Sequence, residues 1–355
     1  MKPTRPGYLH SEYRVKKSML FLVGLPLLAV AVLAGLIAWP VADKPQPFGT
    51  ITDPFADVDY STLPGIRFAD ARDGVGIAYR HYSTSNPGAA ALLLHGSSAD
   101  SQSMHKLALA LAESGVTAYV IDIRGHGATG LRGDVAHVGQ PAEDIADFIA
   151  FMRVDNDGLP ISLVGFSSGG GLALNAAGTG YAPGIDKLIL VAPMLGIDAP
   201  PSTAANPNAS EHRWAHPDIP RIIGLTILNR LGLHFLDHLP AIVFAAGDSP
   251  NLTPVYSHRL LLSMNPQNAS VLLGAVDAPI ALLAGDKDEV FASDTYRQTV
   301  QTARPDADVT LLPGIGHVGM ILRPQALAAI AEAIPRNAQM ASRRDQTRRF
   351  FLRRP

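Results

Sequence analysis

Three residues far apart in the chain, Ser167, Asp288 and His317, are of the types that together turn a hydroxyl into a nucleophile. A serine hydroxyl is weak at neutral pH. It needs a base to take its proton, and the base needs an acid that holds its tautomer and stabilises its cation. Ser167 sits in Gly165-Phe166-Ser167-Ser168-Gly169. A Gly-x-Ser-x-Gly frame lets a serine occupy a strained turn, because side chains two residues to either side would collide as the backbone doubles back. Taking Ser168 as the nucleophile would put Phe166 at one of those crowded positions, so Ser167 is the candidate. His317, in Gly314-Ile315-Gly316-His317, is the candidate base, in a glycine-flanked loop that brings the ring close to backbone. The run Gly285-Asp286-Lys287-Asp288-Glu289-Val290 offers three carboxylates. Asp288 fits a Gly-x-x-Asp-x-Val spacing and is the first choice, Asp286 the second and Asp198 a distant third. A tetrahedral oxyanion needs donors aimed at it. The backbone N–H groups of Ser168 and of Ser97, just after His95-Gly96, are the candidates.

These residues need a scaffold that brings them together, and the pattern around them supplies one. The apolar run 161–166 precedes the glycines and a segment of strong helix propensity follows them, which places Ser167 where a strand turns into a helix. Short runs at 66–69 and 76–82 flank Asp73-Gly74 and read as a hairpin. Strands are expected at 89–94, 116–123, 188–192, 279–284 and 309–312, with helical stretches near 101–113, 142–153, 293–302 and 318–334. Such alternation implies right-handed crossovers and a mostly parallel sheet with helices on both faces. Sites in such sheets lie at the carboxyl ends of the strands, where all the residues above fall. Between about 196 and 276 the alternation breaks into a proline-rich stretch and an apolar helical one at 221–239, which reads as a cap over the sheet's mouth.

The chain has 355 residues and no cysteine, so disulfides, thiolate metal sites and a cysteine nucleophile are excluded. The formal net charge of −2 hides an uneven distribution. Basic residues crowd both ends, 1–18 and 336–355, and the stretch between them holds 17 basic and 29 acidic residues, which argues against a nucleic-acid partner. Residues 19–39 contain no charge, and at ~1.5 Å rise each they reach the thickness of a bilayer's hydrocarbon core. Basic residues before and mainly acidic ones after predict a single-pass anchor, amino terminus in the cytoplasm, with the large domain on the exported side. A cleaved signal peptide is the competing reading, disfavoured by the length of the run and the poor cleavage site at Trp39-Pro40-Val41-Ala42. Residues 40–64, with four prolines between Ala42 and Pro64, read as an extended linker. The tail 336–355 reads as a solvated end, with attachment to anionic lipid as its alternative.

Leu94-His95-Gly96, Asp122-Ile123-Arg124-Gly125-His126-Gly127 and Gly165-Phe166-Ser167-Ser168-Gly169 together resemble the α/β-hydrolase superfamily, over about 65–335. The combination is similar to the branch of monoacylglycerol lipases, lysophospholipases and serine-aminopeptidase-like hydrolases. That resemblance implies an α/β-hydrolase fold and hydrolysis of carboxylic, lipid-like esters through an acyl-enzyme, with a small-molecule or lipid ester as substrate and no metal or organic cofactor. Two histidine pairs at helical spacing, His212/His216 and His234/His238, lack a neighbouring carboxylate in a zinc motif and read as ordinary cap residues. A peptidase or amidase with the same triad is the strongest rival, and would need a carboxylate such as Glu211 or Asp218 to hold a substrate amine. A catalytically silent binding protein is the rival from another class, and the intact set Ser167, Asp288 and His317 argues against it. In the cap, the apolar run around Ile223 and Ile227 is expected to take up an acyl chain.

Overall fold

The computed structural model describes residues 24–40, 45–209, 213–247, 249 and 251–336. The first described element is a helix, α1, over 24–37. A single turn, α2 (Gly49–Thr52), precedes the opening hairpin of β1 (Arg67–Asp70) and β2 (Gly76–Tyr82). Gly74 makes its turn with a φ of 80°. Then come β3 (Ala89–Leu94), α3 (His105–Glu113), β4 (Val116–Ile121), α4 (Gln140–Asp155), β5 (Ile161–Phe166), α5 (Ser168–Gly178) and β6 (Lys187–Val191). The cap contributes α6 (Pro200–Thr203), β7 (Ala215–Pro217), α7 (Ile219–Arg230), β8 (Pro240–Phe244) and β9 (Val255–Ser257). The chain then returns through α8 (His258–Met264), α9 (Ala269–Ala275), β10 (Ile280–Gly285), α10 (Tyr296–Ala303), β11 (Asp308–Leu312) and α11 (Pro324–Ala333).

Eight strands form one sheet in the order β1-β2-β4-β3-β5-β6-β10-β11. β2 runs antiparallel to both its neighbours and the remaining pairs are parallel. β3, β5 and β10 are buried along their whole length, as strands covered on both faces must be, and their near-continuous Ala, Leu, Ile and Val follow from that. The expected α/β architecture, mostly parallel sheet and helical cover are therefore present.

Three stretches differ from expectation. The helical stretch foreseen at 221–239 stops at Arg230, because Gly232 takes a positive φ and the N–H groups of Gly232 and Leu233 turn back onto Asn229 and Leu228. The insertion foreseen at 196–276 divides in two. Its first part builds a small antiparallel sheet, β7-β8-β9, over the site, whereas α8 and α9 pack on the body. Asn175 of α5 donates to the Ser263 carbonyl, and a Cβ at Gly178 would lie 2.9 Å from Leu272.

Of the stretch 40–64 foreseen as an extended linker, residues 45–64 fold onto the domain instead. Phe48 and Ile51 are buried in the main core, and the Phe48 N–H donates to Ala245 just past β8. Burying two large apolar side chains stabilises this packed form over a solvated spacer by about 1.5–3 kcal/mol each. Among the described residues no helix is long and apolar enough to cross a membrane. The amino-terminal part of the anchor foreseen at 19–39, the basic segment 1–18 and the tail beyond Arg336 lie outside the described residues. The carboxyl end of α1 rests on the cap: Arg221 donates to the carbonyls of Ile37 and Trp39, and a Cβ at Gly224 would meet Ile37 at 2.7 Å.

Candidate active site

β5 delivers Ser167 to the sheet's carboxyl edge with φ 55° and ψ −121°, a conformation a non-glycine residue holds only when its surroundings enforce it. The two flanking glycines show the enforcement. A Cβ on Gly165 would stand 2.3 Å from the Gly169 carbonyl oxygen, and one on Gly169 would stand 2.3 Å from that of His95. Side chains at either position would push the elbow apart.

The elements bring together the three residues picked from the sequence. His317 Nε2 lies 3.0 Å from Ser167 Oγ, and its Nδ1 lies 2.8 Å from Asp288 Oδ2. The other Asp288 oxygen accepts the N–H groups of Val290 and Phe291, at 2.8 and 2.9 Å. Asp288 is wholly inaccessible, so its charge is met by one imidazole and two amides of its own loop. The imidazole is held between the rings of Phe166 and Phe291, with centroids 5.0 and 5.4 Å away. The remaining carboxylates of the run grip the histidine's backbone. Asp286 accepts the Gly314 N–H at 2.7 Å and Glu289 accepts the His317 N–H at 2.9 Å. Glu289 in this role was not foreseen, and its signal was only its place in an acidic run facing a glycine-rich loop. Asp198 takes no part in this cluster.

Ser168 opens α5, so its N–H belongs to the first turn of a helix, where no intrahelical acceptor exists. Ser97 lines the same cavity as Ser167. The loop that carries Ser97 is fixed by a buried relay. The Ser98 N–H donates to Tyr256 Oη at 2.6 Å, Tyr256 O–H lies 2.5 Å from His126 Nε2, and His126 Nδ1 lies 3.2 Å from the Ile123 carbonyl. His95 accepts the Ile123 N–H at its Nε2 and directs its Nδ1 at the Gly96 carbonyl. Burial holds both histidines below their usual pKa, and neutral rings are what these bonds require. Asp122 accepts the N–H groups of Ser101 and Ala128. The Asp122-to-Gly127 motif thus shapes the loops about the site and has no atom at Ser167. From the cap, Trp214 Nε1 donates to Ser97 Oγ at 2.8 Å, a contact that sequence reasoning did not find.

The cavity in front of Ser167 and His317 has a volume of about 240 Å³. Ile223 and Ile227, expected to line it, do not: they are 48% and 41% exposed on the outer face of α7. Their helix turns its buried face, Leu225 and Leu228, inward. Asp218 caps α7 and pairs with Arg221, and so is not placed to hold a substrate amine. Glu211 lies outside the described residues. The carboxyl group that does line the cavity is Asp100. Burial, reinforced by nearby Asp122, pushes it up to about 6.

A monoacylglycerol lipase of Mycolicibacterium smegmatis is 26% identical over 256 residues, covering 69% of this chain and 86% of that protein. The uncharacterized protein YnbC of Escherichia coli is 26% identical over 279 residues, but the match covers only 46% of its length, so this chain spans under half of that relative. Among solved structures, a soluble variant of the Saccharomyces cerevisiae monoglyceride lipase in complex with a substrate analogue covers 78% of this chain and 95% of its own, at TM-score 0.61 and 19% identity. The monoacylglycerol lipase of Paleococcus ferrophilus covers 72% and 96%, at TM-score 0.51 and 20% identity. These two likenesses bear on the fold. The serine aminopeptidase S33 family matches residues 85–321, which is most of the chain and includes Ser167, Asp288 and His317, and the protein therefore belongs to that α/β-hydrolase family, in its monoacylglycerol lipase-like branch.

Proposed function

We propose that this protein hydrolyses carboxylic esters of lipid-like acyl groups by a serine mechanism. The observation that carries the reading is the continuous line Ser167 Oγ, His317 imidazole, Asp288 carboxylate, each link within hydrogen-bond reach. His317 Nε2 takes the hydroxyl proton as Ser167 Oγ bonds to the ester carbonyl carbon. The oxyanion that forms is met by the N–H groups of Ser97 and Ser168. The same imidazole then gives its proton to the departing alcohol, leaving an acyl-enzyme. Water, deprotonated by His317, attacks the acyl carbon, the proton returns to Ser167 and the acid leaves. Asp288 holds the imidazole's Nδ1–H throughout.

The monoacylglycerol lipase among the relatives supports an ester rather than an amide substrate. Membrane attachment belongs to the same reading. It rests on the uncharged run 19–39 and on α1, whose Leu25, Leu27, Leu28 and Val30 stand exposed beside a cap helix that also exposes Ile219, Ile223 and Ile227. With the amino terminus in the cytoplasm, the catalytic domain works on the exported side.

Turnover of p-nitrophenyl octanoate and of monoacylglycerols, beside aminoacyl p-nitroanilides, tests the substrate class. Ester cleavage lost in Ser167→Ala with the fold retained is expected. Anilide cleavage exceeding ester cleavage would replace this reading with a peptidase. Protease protection of the domain in intact cells tests the topology, and a domain digested only after the cytoplasm is opened would overturn it.

A further inference from the structure

We propose that residues 48–60, which precede the region matched by the family, form a specificity-determining wall of the cavity, with Ile51 and Phe55 limiting the acyl chain that fits. The inference rests on the ester reading above and adds to it the residues that measure the substrate.

The segment is pinned at both ends. At its start the Phe48 N–H donates to Ala245, and a Cβ at Gly247 would lie 3.4 Å from Pro47, so the chain is tied to the cap just past β8. Beyond its end, Arg80 of β2 donates to the Pro64 carbonyl, and the Tyr60 ring lies 5.7 Å from that of His105, at the start of α3. Between these ties, the turn of α2 and a 3-10 turn at Asp53–Phe55 hang across the cavity. Ile51, Thr52, Phe55 and Tyr60 line it together with Ser167 and His317. The wall is thus made jointly by the hydrolase core, by the cap through Trp214, and by a segment that the core's own sequence does not include.

Chemistry decides what this wall meets. A monoacyl ester has one long apolar part, its acyl chain, and the large side chains the segment offers are aliphatic and aromatic. Val318 and Ile321, just past the catalytic histidine, complete the apolar lining. At about 240 Å³ the cavity is below the roughly 300–1,000 Å³ of drug-sized ligand sites, so a side chain added to or removed from one wall is a large fraction of the space. Ile51 is buried and Phe55 half-buried, so the two present fixed surface rather than a mobile fringe.

The test uses the full chain in detergent, with p-nitrophenyl esters from acetyl to dodecanoyl and, in parallel, alkyl fluorophosphonates of the same range. The fluorophosphonates react with an activated serine whatever its natural substrate. Ile51→Trp is expected to lower kcat/KM for decanoyl ester by about tenfold relative to acetyl ester, the equivalent of roughly two excluded methylenes. Phe55→Ala is expected to move the optimum toward longer chains, and Thr52→Leu, at a half-buried position, gives a milder form of the tryptophan effect should that variant fold poorly. Labelling rates should shift with alkyl length in the same way. If all chain lengths change in parallel in the three variants while Ser167 still labels, the wall assignment is overturned. If the wild type labels with chain-length preference but cleaves no ester, the ester reading fails and the wall assignment stands.

Discussion

Glu289 accepts the backbone N–H of His317 at 2.9 Å, one residue along from the aspartate that accepts its imidazole. One short acidic run therefore fixes both the ring and the main chain of His317, and Asp286 adds a third tie at Gly314. The two contacts to His317 differ in kind. In the proposed mechanism Asp288 meets the group that becomes charged during turnover, and Glu289 meets a peptide group that does not. Asp288→Asn should lower kcat by about 10⁴, because the amide can present the wrong hydrogen-bonding group to Nδ1. Glu289→Ala should cost about tenfold through a misplaced loop, with Glu289→Gln recovering most of it because its amide oxygen still accepts the bond. Steady-state kcat for the three variants checks this, and a Glu289 effect as large as that of Asp288 would reverse the ranking.

The elbow predicts its own intolerance. Gly165→Ala and Gly169→Ala each place a Cβ 2.3 Å from a backbone oxygen, and Gly285→Ala places one 1.9 Å from that of Ile315. Backbone on both sides leaves nothing flexible to yield, so each should lose at least ~3 kcal/mol of stability or fail to fold. Urea unfolding by circular dichroism reads this directly. A soluble Gly165→Ala protein with an unchanged midpoint would contradict the packing described.

The indole of Trp214 ties the cap to the loop that carries Ser97, one of the two proposed oxyanion donors. Trp214→Phe keeps a ring against Phe244 but removes the bond to Ser97 Oγ. A hydrogen bond of ordinary strength, about 1 kcal/mol, corresponds to a roughly fivefold fall in kcat/KM, with the melting temperature changed little. Equal loss of activity and of melting temperature would mean that the tryptophan serves packing alone.

Asp100 gives stability a pH signature. Its carboxyl group is pushed up to about 6 by burial first and by Asp122 second. The folded value lies above the unfolded one, so the folded state binds this proton more tightly. The contribution is most favourable below the unfolded value near 4 and is lost as pH rises through about 6. Asp100→Asn keeps an oxygen for the Gln102 N–H and removes the charge. It should stabilise the protein by at most about 3 kcal/mol at pH near 7.5 and by nothing at pH near 4. Denaturant midpoints at the two pH values check this, and an equal gain at both would rule out the ionisation as its source.

Much of the scaffold was legible because its signals are local. The fully apolar strands, the Gly-x-Ser-x-Gly frame and the Gly-x-x-Asp-x-Val spacing each follow from what a covered strand or a tight turn tolerates, and the structure gathers Ser167, Asp288 and His317 as that reading foresaw. The cap was not legible to the same degree. Ile222-Ile223-Gly224-Leu225 is apolar all round, so its composition does not say which face turns inward, and Ile223 proved to face out. Residues 45–64 were misread for a related reason. Prolines signal irregular backbone, but whether irregular backbone is solvated or packed depends on partners distant in sequence, here Ala245 and Arg80. Trp214 and Glu289 matter through one hydrogen bond each to residues far away in the chain, and no spacing rule records such a bond.

Acid-quenched mass spectrometry of the protein mixed with p-nitrophenyl octanoate asks whether Ser167 carries the acyl group during turnover. An octanoyl adduct on the peptide containing Ser167, formed within the first turnover and absent from Ser167→Ala, is the predicted result. An adduct mapped to another residue, or a Ser167→Ala protein that still turns over the ester at the wild-type rate, would contradict the account.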